Sequence, residues 1–349
     1  MKILITGNMG YVGPGVVVHL RSVFPEATLI GYDMAYFANC LTNADFLPES
    51  KLDKQIFGDI RHVPENILEG VDAVVHLAAV SNDPMGNKYE EVTIDVNHKS
   101  SIDIAQKAKA AGVKSFIFAS SCSVYGAGGE GAKTEDSELN PLTAYARSKI
   151  FTERDLKPLA DSSFTVTCLR FATACGMSNR LRLDLVLNDF VAGAVTSKQI
   201  TILSDGTPWR PLINVKDMAI AIEWAIERPA SNGGEFLAIN TGSNVWNYQV
   251  KEIAEAVAQI IPGTQVSINT EAPPDKRSYR VNFDLYAKLA PGHQVCRTLT
   301  DTIQELKDNL ETMGFSDGNF RNSQLMRLKV LNTLQDKQLI DSQLVWTKN

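Results

Sequence analysis

The stretch KILITGNMGYVG, residues 2–13, places three glycines between an apolar run and a helical pattern. Gly7, Gly10 and Gly13 suit a tight strand-to-helix turn, because glycine tolerates positive φ and lets a diphosphate approach the backbone closely. The N-terminus of the following helix adds free N–H groups and a partial positive charge. The spacing predicts a dinucleotide-binding turn, although on its own it would also suit a turn without a ligand.

An acidic residue follows this turn at the end of the next predicted strand. Asp33 lies 20 residues after Gly13, where a carboxylate can accept a hydrogen bond from a ribose 2′-hydroxyl. Between Arg21 and Lys51 the sequence has no lysine or arginine to bind a 2′-phosphate. The pattern favours NAD over NADP. The alternative for Asp33 is a solvated acid at a strand end.

Short apolar runs alternate with helical patterns through the first 170 residues. Continuous apolar strands joined by helices indicate a parallel sheet covered on both faces. The predicted strands are Lys2–Thr6, Thr28–Tyr32, Ala73–Leu77, Ser115–Ala119 and Phe164–Arg170, and the predicted helices include Val12–Ser22 and Asn97–Ala111. The predicted fold is α/β, a Rossmann-like doubly wound parallel sheet with a smaller, interwoven C-terminal substrate lobe.

The pattern changes after residue 175. Residues 180–197, RLRLDLVLNDFVAGAVTS, are typical of an amphipathic helix, and residues 200–226 indicate strand, turn, strand and helix. The run EFLAIN, residues 235–240, predicts a strand that returns to the sheet. We expect residues 1–175 to form the NAD-binding domain. Residues 176–349 would form mainly the substrate-binding lobe, followed by a helical tail from Ser316.

Composition and charge narrow the class of protein. The 349-residue chain is 44% hydrophobic and 21% charged, as in an ordinary globular enzyme. A net charge of −6 and the lack of a basic block argue against nucleic acid as a partner. Met1 leads directly into a strand and no apolar run is long enough to span a membrane, so we expect a cytoplasmic protein. Five scattered cysteines predict reduced thiols, with neither a disulfide framework nor a metal site.

The stretch FIFASSCSVYG, residues 116–126, ends an apolar strand in three serines and a cysteine. Three interpretations are open. Cys122 could be a nucleophile, a serine hydroxyl could hold a substrate oxygen, or the cluster could be only a polar strand end.

About two dozen residues later, Tyr145 and Lys149 lie four positions apart in PLTAYARSK, residues 141–149. On a helix this spacing puts both side chains on one face. A lysine ammonium near a phenol lowers the pKa of the tyrosine, which would let Tyr145 exchange a proton with a sugar hydroxyl near neutral pH. Taken alone, such a pair also arises by chance.

Together and in this order, these three signals resemble the extended short-chain dehydrogenase/reductase family, in its nucleotide-sugar epimerase and dehydratase branch. Further matching pieces are GDI (58–60), VVHLAA (74–79), VYG (124–126), LRF (169–171) and WRPLINVKDMA (209–219). The likeness spans most of residues 1–285. It is highly specific for the fold and the cofactor, and much less so for the sugar.

The resemblance implies roles for the matching positions. Ser121, three residues before the valine of VYG, would hold the reacting oxygen. Tyr145 would be the acid/base, and Lys149 would tune it and hold the nicotinamide ribose. Cys122 becomes a neighbour rather than a nucleophile, since no histidine accompanies it. The residues expected to bind NAD are Gly7, Asn8, Met9, Gly10, Tyr11, Val12, Gly13, Asp33, Asp59, Ile60, Leu77, Ala78, Ala79, Tyr145, Lys149 and Phe171.

A nucleotide-diphosphate sugar is the substrate that the resemblance implies. The residues expected to bind it are Ser81, Asn82, Ser121, Cys122, Ser123, Thr173, Arg180, Arg182, Arg210 and Arg277. Arg210 and Arg277 resemble the family's diphosphate clamps, while the loop at residues 80–87 either approaches the sugar or is a plain surface loop. A homodimer is implied by the family alone, and no metal is expected.

Two departures from the family pattern narrow the chemistry. Sugar 4,6-dehydratases carry an Asp-Glu pair where this chain has Cys122 and Ser123, which disfavours that reaction. Many epimerases carry an asparagine where this chain has Thr173, which puts a UDP-galactose substrate in doubt. Arg180 or Arg182, in the arginine-rich segment that follows, could contact the substrate, with exposure to solvent as the default for each.

The leading hypothesis is an NAD-dependent nucleotide-sugar epimerase that acts through a transient keto sugar. The second is a nucleotide-linked keto-sugar reductase that uses NADH or NADPH. The third, of another class, is a non-catalytic nucleotide-binding regulator on the same fold.

Overall fold

The opening apolar run forms the centre of a parallel sheet in the computed structural model, which describes residues 1–127, 129, 131–272 and 277–347. Ile3, Leu4 and Ile5 are completely buried, as expected for a strand covered on both faces. The strands along the chain are β1 (Lys2–Thr6), β2 (Thr28–Asp33), β3 (Lys54–Phe57), β4 (Ala73–His76), β5 (Ser115–Ser121), β6 (Ala132–Lys133), β7 (Thr165–Phe171), β8 (Thr173–Cys175), β9 (Gln199–Ile202), β10 (Trp209–Asn214), β11 (Phe236–Thr241), β12 (Asn247–Gln249), β13 (Gln265–Ile268) and β14 (Arg280–Val281).

Helices cover both faces of this sheet. The helices along the chain are α1 (Gly13–Val23), α2 (Asp83–Lys88), α3 (Glu90–Ile94), α4 (Ser100–Ala110), α5 (Ala144–Leu156), α6 (Val186–Ser197), α7 (Val215–Glu227), α8 (Val250–Ile260), α9 (Asp284–Leu289), α10 (Leu299–Thr312) and α11 (Arg327–Asp336). Helices α1 and α7 share one apolar cluster with Ile3 and Ile5, whereas α4 shares another with Leu4 on the opposite face. The alternate side chains of β1 therefore enter two separate cores.

The central sheet has the strand order β11-β7-β5-β4-β1-β2-β3, and all of its neighbouring pairs are parallel. The chain leaves β1 toward β2 on one side and returns to β4 on the other. This reversal opens a crevice at the carboxyl ends of the strands, where ligands bind in such folds. The α/β, Rossmann-like prediction is confirmed.

The five predicted strands are present within one or two residues at their ends. Strand β3 was not predicted, because this edge strand has no fully buried residue and so lacks an apolar run. Strand β11 pairs in parallel with β7 at the other edge of the sheet. The division of the chain at residue 175 stays a prediction.

The second lobe contains its own apolar cluster, to which α6, α8 and α10 contribute. The prediction of a helix from residue 180 was wrong in its first part, since α6 begins at Val186. The backbone N–H groups of Leu181 and Leu183 donate instead to Thr42 Oγ1 and to the carbonyl of Leu325. These bonds hold the segment before α6 in a non-helical conformation. In the described part of the chain, we find no helix whose length and apolarity would let it cross a membrane.

A buried histidine at the end of β4 should make stability depend on pH. His76 Nδ1 lies 2.8 Å from Thr6 Oγ1 and its Nε2 lies 2.8 Å from Ser101 Oγ. Burial, helped by the charge of Lys149, lowers the pKa of His76 from 6.5 to about 3. Below pH 6.5, His76 binds a proton in the unfolded chain but not in the native chain. The free energy of unfolding therefore falls as the pH falls through this window.

Between pH 7 and pH 5, the free energy of unfolding should fall in both proteins. The fall should be about 2 kcal/mol smaller in His76→Gln than in the wild type. Urea denaturation at several pH values measures the two slopes. The control is His62→Gln, since His62 is exposed and should leave the slope unchanged. Equal slopes for His76→Gln and the wild type would show that His76 is protonated in the native protein.

Candidate active site

The glycine turn lies at the carboxyl end of β1 and requires glycine at two of its positions. Gly7 has φ +73°, and a Cβ there would lie 2.6 Å from the backbone nitrogen of Ala78. A Cβ on Gly13 would lie 2.0 Å from the carbonyl oxygen of Asn8. The first contact brings β1 against the end of β4, and the second lets α1 start directly on the turn. The N-terminus of α1 is thereby aimed into the crevice.

Asp33, at the end of β2, ties the two neighbouring strand ends together. Its carboxylate accepts hydrogen bonds from the N–H of Met9, at 3.0 Å, and of Ala35, at 2.7 Å. Burial raises its pKa, although these backbone bonds oppose the shift. Asp59 lies beyond it and accepts from the Arg61 guanidinium at 2.6 Å. This end of the crevice therefore presents carboxylates, as expected for NAD rather than NADP.

Most of the predicted cofactor residues line one continuous cleft. Those that line it are Gly7, Gly10, Tyr11, Val12, Asp33, Asp59, Ile60, Leu77, Ala78, Ala79 and Phe171. Asn8, Met9 and Gly13 do not line the cleft but support the turn from behind. Asn8 Nδ2 donates to Gln55 Oε1 at 2.7 Å, and the N–H of Met9 is bound by Asp33.

Tyr145, Lys149 and Ser121 meet beside this cleft. Thr143 caps α5, because its hydroxyl accepts from the N–H of Ala146 at 3.2 Å. The helix therefore starts at Ala144 and puts Tyr145 and Lys149 on one face. The Tyr145 hydroxyl lies close enough to Ser121, which lines the cleft, to act on it electrostatically. Lys149 Nζ donates to the Ala119 carbonyl at 2.7 Å and lies 5.5 Å from the centroid of the Tyr145 ring.

The expected lowering of the Tyr145 pKa is wrong for the protein without ligands. Burial raises the pKa of Tyr145 to about 12, while the nearby Ser121 hydroxyl and the charge of Arg182 oppose the rise. Burial also lowers the pKa of Lys149 to about 7, against the opposing charge of Glu153. The four-residue spacing predicted that the two side chains share one face of the helix. It carried no information on how completely that face is buried.

The two residues after Ser121 differ in their surroundings. The buried Cys122 thiol donates to the Arg170 carbonyl at 3.0 Å, and burial raises the pKa of the thiol. Cys122 is therefore a packed neighbour, and a substrate contact from its thiol is not supported. Ser123 Oγ is buried without a hydrogen-bond partner among the described residues. Ser123 remains available for a substrate oxygen.

The segment after β4 is not a plain surface loop, since Asn82 caps helix α2. Asn82 Oδ1 accepts from the N–H of Met85 at 2.8 Å, and its Nδ2 donates to Asp184 at 2.7 Å. Arg182 donates to Asp184 at 2.6 Å and to Ser81 Oγ at 3.1 Å. Arg182 and Ser81 both line the cleft. The structure thus brings Ser81, Asn82 and Arg182 together on the side of the cleft near Tyr145.

The remaining predicted substrate residues lie in different places. Solvent exposure was the wrong default for Arg180 and Arg182, which are both buried. Arg180 pairs with Glu49 at 2.6 Å and donates to the Phe37 carbonyl, so its guanidinium serves packing and not the substrate site. Thr173 lies between Ala172 and Ala174, which line the cleft, but it does not line the cleft itself.

Arg210 and Arg277 do not line the cleft but interact with residues near Tyr145. Arg277 forms an ion pair with Asp83 at 2.9 Å, and Asp83 is close enough to act on the pKa of Tyr145. Arg210 donates to the Trp209 carbonyl at 2.9 Å and acts on the pKa of buried Tyr279. The charge of Tyr145 also acts on the pKa of Tyr279. Both arginines therefore lie in the wider surroundings of Tyr145.

Sequence reasoning missed one wall of the cleft. Residues 325–347, which we call the strap, contain α11 and a turn closed by a bridge between Ile340 and Trp346. Arg327, Leu331 and Leu344 of the strap line the cleft. No local signal could have found them, because the strap lies some 300 residues from the glycine turn along the chain.

The residues of the cleft fit NAD. The backbone approach of Gly7 to Ala78 leaves a smooth floor, and the first N–H groups of α1 lack partners within their own helix. Asp33 uses two N–H groups and keeps lone pairs for ribose hydroxyls. The diphosphate and a ribose of the dinucleotide thus have matching groups in the cleft.

Three known proteins illustrate what this chain is similar to. It is 26% identical to the UDP-glucose 4-epimerase of Neisseria meningitidis serogroup C, over 87% of this chain and 95% of that protein. It is 24% identical to the dTDP-D-glucose 4,6-dehydratase of Mus musculus, over 81% of this chain and 79% of that protein. The solved UDP-glucose-4-epimerase of Stenotrophomonas maltophila, with bound NAD and formylated UDP-arabinopyranose, superposes with a TM-score of 0.74 at 22% identity. That likeness covers 90% of this chain and 99% of the solved chain.

The family itself is shown by a match over more than half of the chain. Residues 3–242 match the model of the NAD dependent epimerase/dehydratase family, which confirms the resemblance to extended short-chain dehydrogenases/reductases. The matched range contains the glycine turn, Asp33, Ser121, Tyr145 and Lys149. NAD is the cofactor, and the chain is an enzyme of the NAD dependent epimerase/dehydratase family.

Proposed function

We propose that this chain is a nucleotide-sugar epimerase that inverts a hydroxyl-bearing carbon, C4, through a transient keto sugar. The observation that carries the proposal is the meeting of Ser121, Tyr145 and Lys149 beside the NAD cleft. Relatives named UDP-glucose 4-epimerases support it, as does a solved epimerase with a UDP-sugar and NAD.

The residues of the site divide the proton chemistry among them. Bound NAD supplies the acceptor and later the donor of the hydride at the sugar carbon. Ser121 would hold the sugar oxygen and orient it toward Tyr145, which lies close to Ser121. Tyr145 would take the hydroxyl proton as the keto sugar forms and return it when the sugar is reduced from the other face. Lys149 would favour the phenolate through its charge.

Binding of the substrate has to assist this proton transfer. With the pKa of Tyr145 at about 12 and that of Lys149 at about 7, the ligand-free site disfavours charge on both groups. A sugar hydroxyl that donates to Tyr145 stabilises the phenolate, because hydrogen bonds to the charged form lower a pKa. Catalysis would then be coupled to a correctly bound sugar.

Two groups of side chains would hold the nucleotide sugar. Ser81, Asn82 and Arg182, which come together near Tyr145, would bind the sugar, and Ser123 beside Ser121 would assist them. Arg210 and Arg277 would bind the diphosphate, which suits guanidinium groups.

An elimination reaction is a weaker proposal than epimerisation. The positions that carry acids in 4,6-dehydratases are Cys122 and Ser123 here, and burial raises the pKa of the Cys122 thiol. Neither group is a suitable general acid/base for removal of water. A homodimer and a cytoplasmic location stay predictions; the five free thiols are compatible with a reducing compartment.

The first experiment identifies the nucleotide that the purified protein carries. The protein is denatured without added cofactor, and the released nucleotide is identified by mass spectrometry. The same preparation is assayed with UDP-glucose, UDP-N-acetylglucosamine and UDP-glucuronic acid, and products are separated from their 4-epimers by chromatography. We expect about one NAD per chain and epimer formation without added cofactor.

Each contrary outcome points to another hypothesis. A protein without cofactor that oxidises NADH or NADPH with a keto sugar would be the reductase. A protein that binds NAD but changes no sugar, and behaves like Tyr145→Phe in every assay, would be the non-catalytic regulator.

A further inference from the structure

The strap forms part of the wall of the cleft. Trp346 Nε1 donates to the carbonyl of Met34 at 2.7 Å, and Arg61 donates to the carbonyl of Gln343 at 2.8 Å. The Tyr36 hydroxyl donates to the carbonyl of Leu344. Met34 and Tyr36 line the cleft next to Asp33. The strap therefore attaches to the rim at the adenine end of the site.

Helix α11 of the strap is also packed into the body of the protein. Leu331, Ile340 and Leu344 form an apolar cluster with Met85 and Val92. At the edge of this cluster, Tyr89 donates to Gln335 at 2.6 Å. The strap is thus held by apolar burial and by hydrogen bonds at both of its ends.

Arg327, the first residue of α11, is the one strap cation that lines the cleft among the described residues. It is only 1% exposed, and its guanidinium lies 4.5 Å above the ring of Phe37. Nη2 donates to the carbonyl of Arg180 at 2.6 Å. Nη1 is buried and has no acceptor in the described part of the chain. A buried donor without an acceptor is costly, so a ligand atom that accepts from it would be stabilising.

The charges around Arg327 are not balanced. Arg180 pairs with Glu49 and Arg182 pairs with Asp184, each at 2.6 Å. Arg327 has no carboxylate within ion-pair distance among the described residues. Burial and the charge of Arg182 lower the pKa of Arg327 to about 10, against the opposing effects of Cys40 and Asp184. A third guanidinium with two carboxylates leaves one buried positive charge that an anion would neutralise.

We propose that Arg327 binds the diphosphate of NAD and that the strap thereby retains the cofactor in the cleft. The diphosphate carries the negative charges of NAD, and the glycine turn supplies N–H groups but no cation. Tyr11 of that turn lies within electrostatic range of the Arg327 guanidinium. Release of NAD would then require the strap to detach from the rim.

The first test follows release of the cofactor from the full-length protein. Bound NAD is chased with isotopically labelled NAD, and the exchange is followed by mass spectrometry. We expect Arg327→Met to exchange on the order of tenfold to a hundredfold faster, as for loss of a hydrogen bond to a charged group. Arg327→Lys should restore part of the retention. The matched control is Arg321→Met, which removes an exposed guanidinium paired with Asp189 and should exchange like the wild type.

A second test separates the charge of Arg327 from its packing. Protein stripped of NAD is titrated calorimetrically with ADP and with adenosine. Arg327→Met should weaken ADP on the order of tenfold or more and leave adenosine unchanged. Equal weakening of the two probes, or wild-type exchange of NAD in Arg327→Met, would overturn the proposal.

A third measurement needs no variant and stays informative if Arg327→Met does not fold. Amide hydrogen exchange of α11 is compared in the wild type with and without NAD. Slower exchange with NAD is expected, since cofactor and strap would stabilise one another. The same exchange rate in both forms would contradict a strap that binds the cofactor.

Discussion

Tyr145→Phe should lower kcat about a thousandfold and leave NAD bound at the wild-type ratio. The ring packs as before, but the hydroxyl beside Ser121 is gone. Positioned general acid/base groups contribute roughly two to four orders of magnitude, and here the same group would act in both directions of hydride transfer. Epimer formation is measured by chromatography, and NAD content is measured by mass spectrometry after denaturation.

The control for this prediction is Tyr248→Phe. Tyr248 lies on β12 in the second lobe, with its ring 6.3 Å from that of Trp246, and it does not line the cleft. Its loss should leave kcat within about twofold. If Tyr145→Phe kept more than a tenth of the wild-type kcat, another group would have to move the proton. If it lost its NAD as well, the tyrosine would be holding the cofactor and the loss of activity would say nothing about proton transfer.

Local chemistry made the cofactor side of the site predictable from sequence. Gly7 and Gly13 have to be glycine because a Cβ there would clash with Ala78 or with Asn8. The turn can therefore be recognised from its residue types. Asp33 ends a buried strand at a position fixed by the length of α1. Short-range geometry of this kind is encoded within some 30 consecutive residues.

Burial explains what the sequence could not provide. The pKa of Tyr145 depends on how completely α5 is covered, and that is a property of the whole fold. Arg180 and Arg182 have the same residue type and nearly the same position, yet one binds Glu49 and the other faces the cleft. Arg327 comes from a segment with no motif at all. For the three arginines, the decisive contact joins residues more than 100 positions apart.

A buried ion pair joins α5, the helix that carries Tyr145 and Lys149, to strand β7. Its loss should strongly lower the free energy of unfolding. Glu153 and Arg170 are 5% and 6% exposed, and their closest nitrogen–oxygen distance is 2.7 Å. Ser120 Oγ also donates to Glu153. Glu153→Gln would leave the Arg170 charge buried without a counter-ion. We expect the free energy of unfolding to fall by about 3 kcal/mol, as measured by urea denaturation.

The same substitution should reach the active site through Lys149, one turn earlier on α5. The charge of Glu153 opposes the fall in the pKa of Lys149, so its removal should lower that pKa further and leave less ammonium near pH 7. As the pH rises, we therefore expect kcat of Glu153→Gln to fall at lower pH than kcat of the wild type, because the variant loses its Lys149 ammonium earlier. Asp155→Asn, two positions along the same helix, is the matched control. The half-buried Asp155 pairs with Arg154 and His98 rather than with the buried Arg170, so its loss should change both stability and kcat far less. If Glu153→Gln were destabilised but kept the wild-type pH profile of kcat, the Glu153–Arg170 pair would contribute to stability only. The pKa of Lys149 would then be set by burial, without help from Glu153.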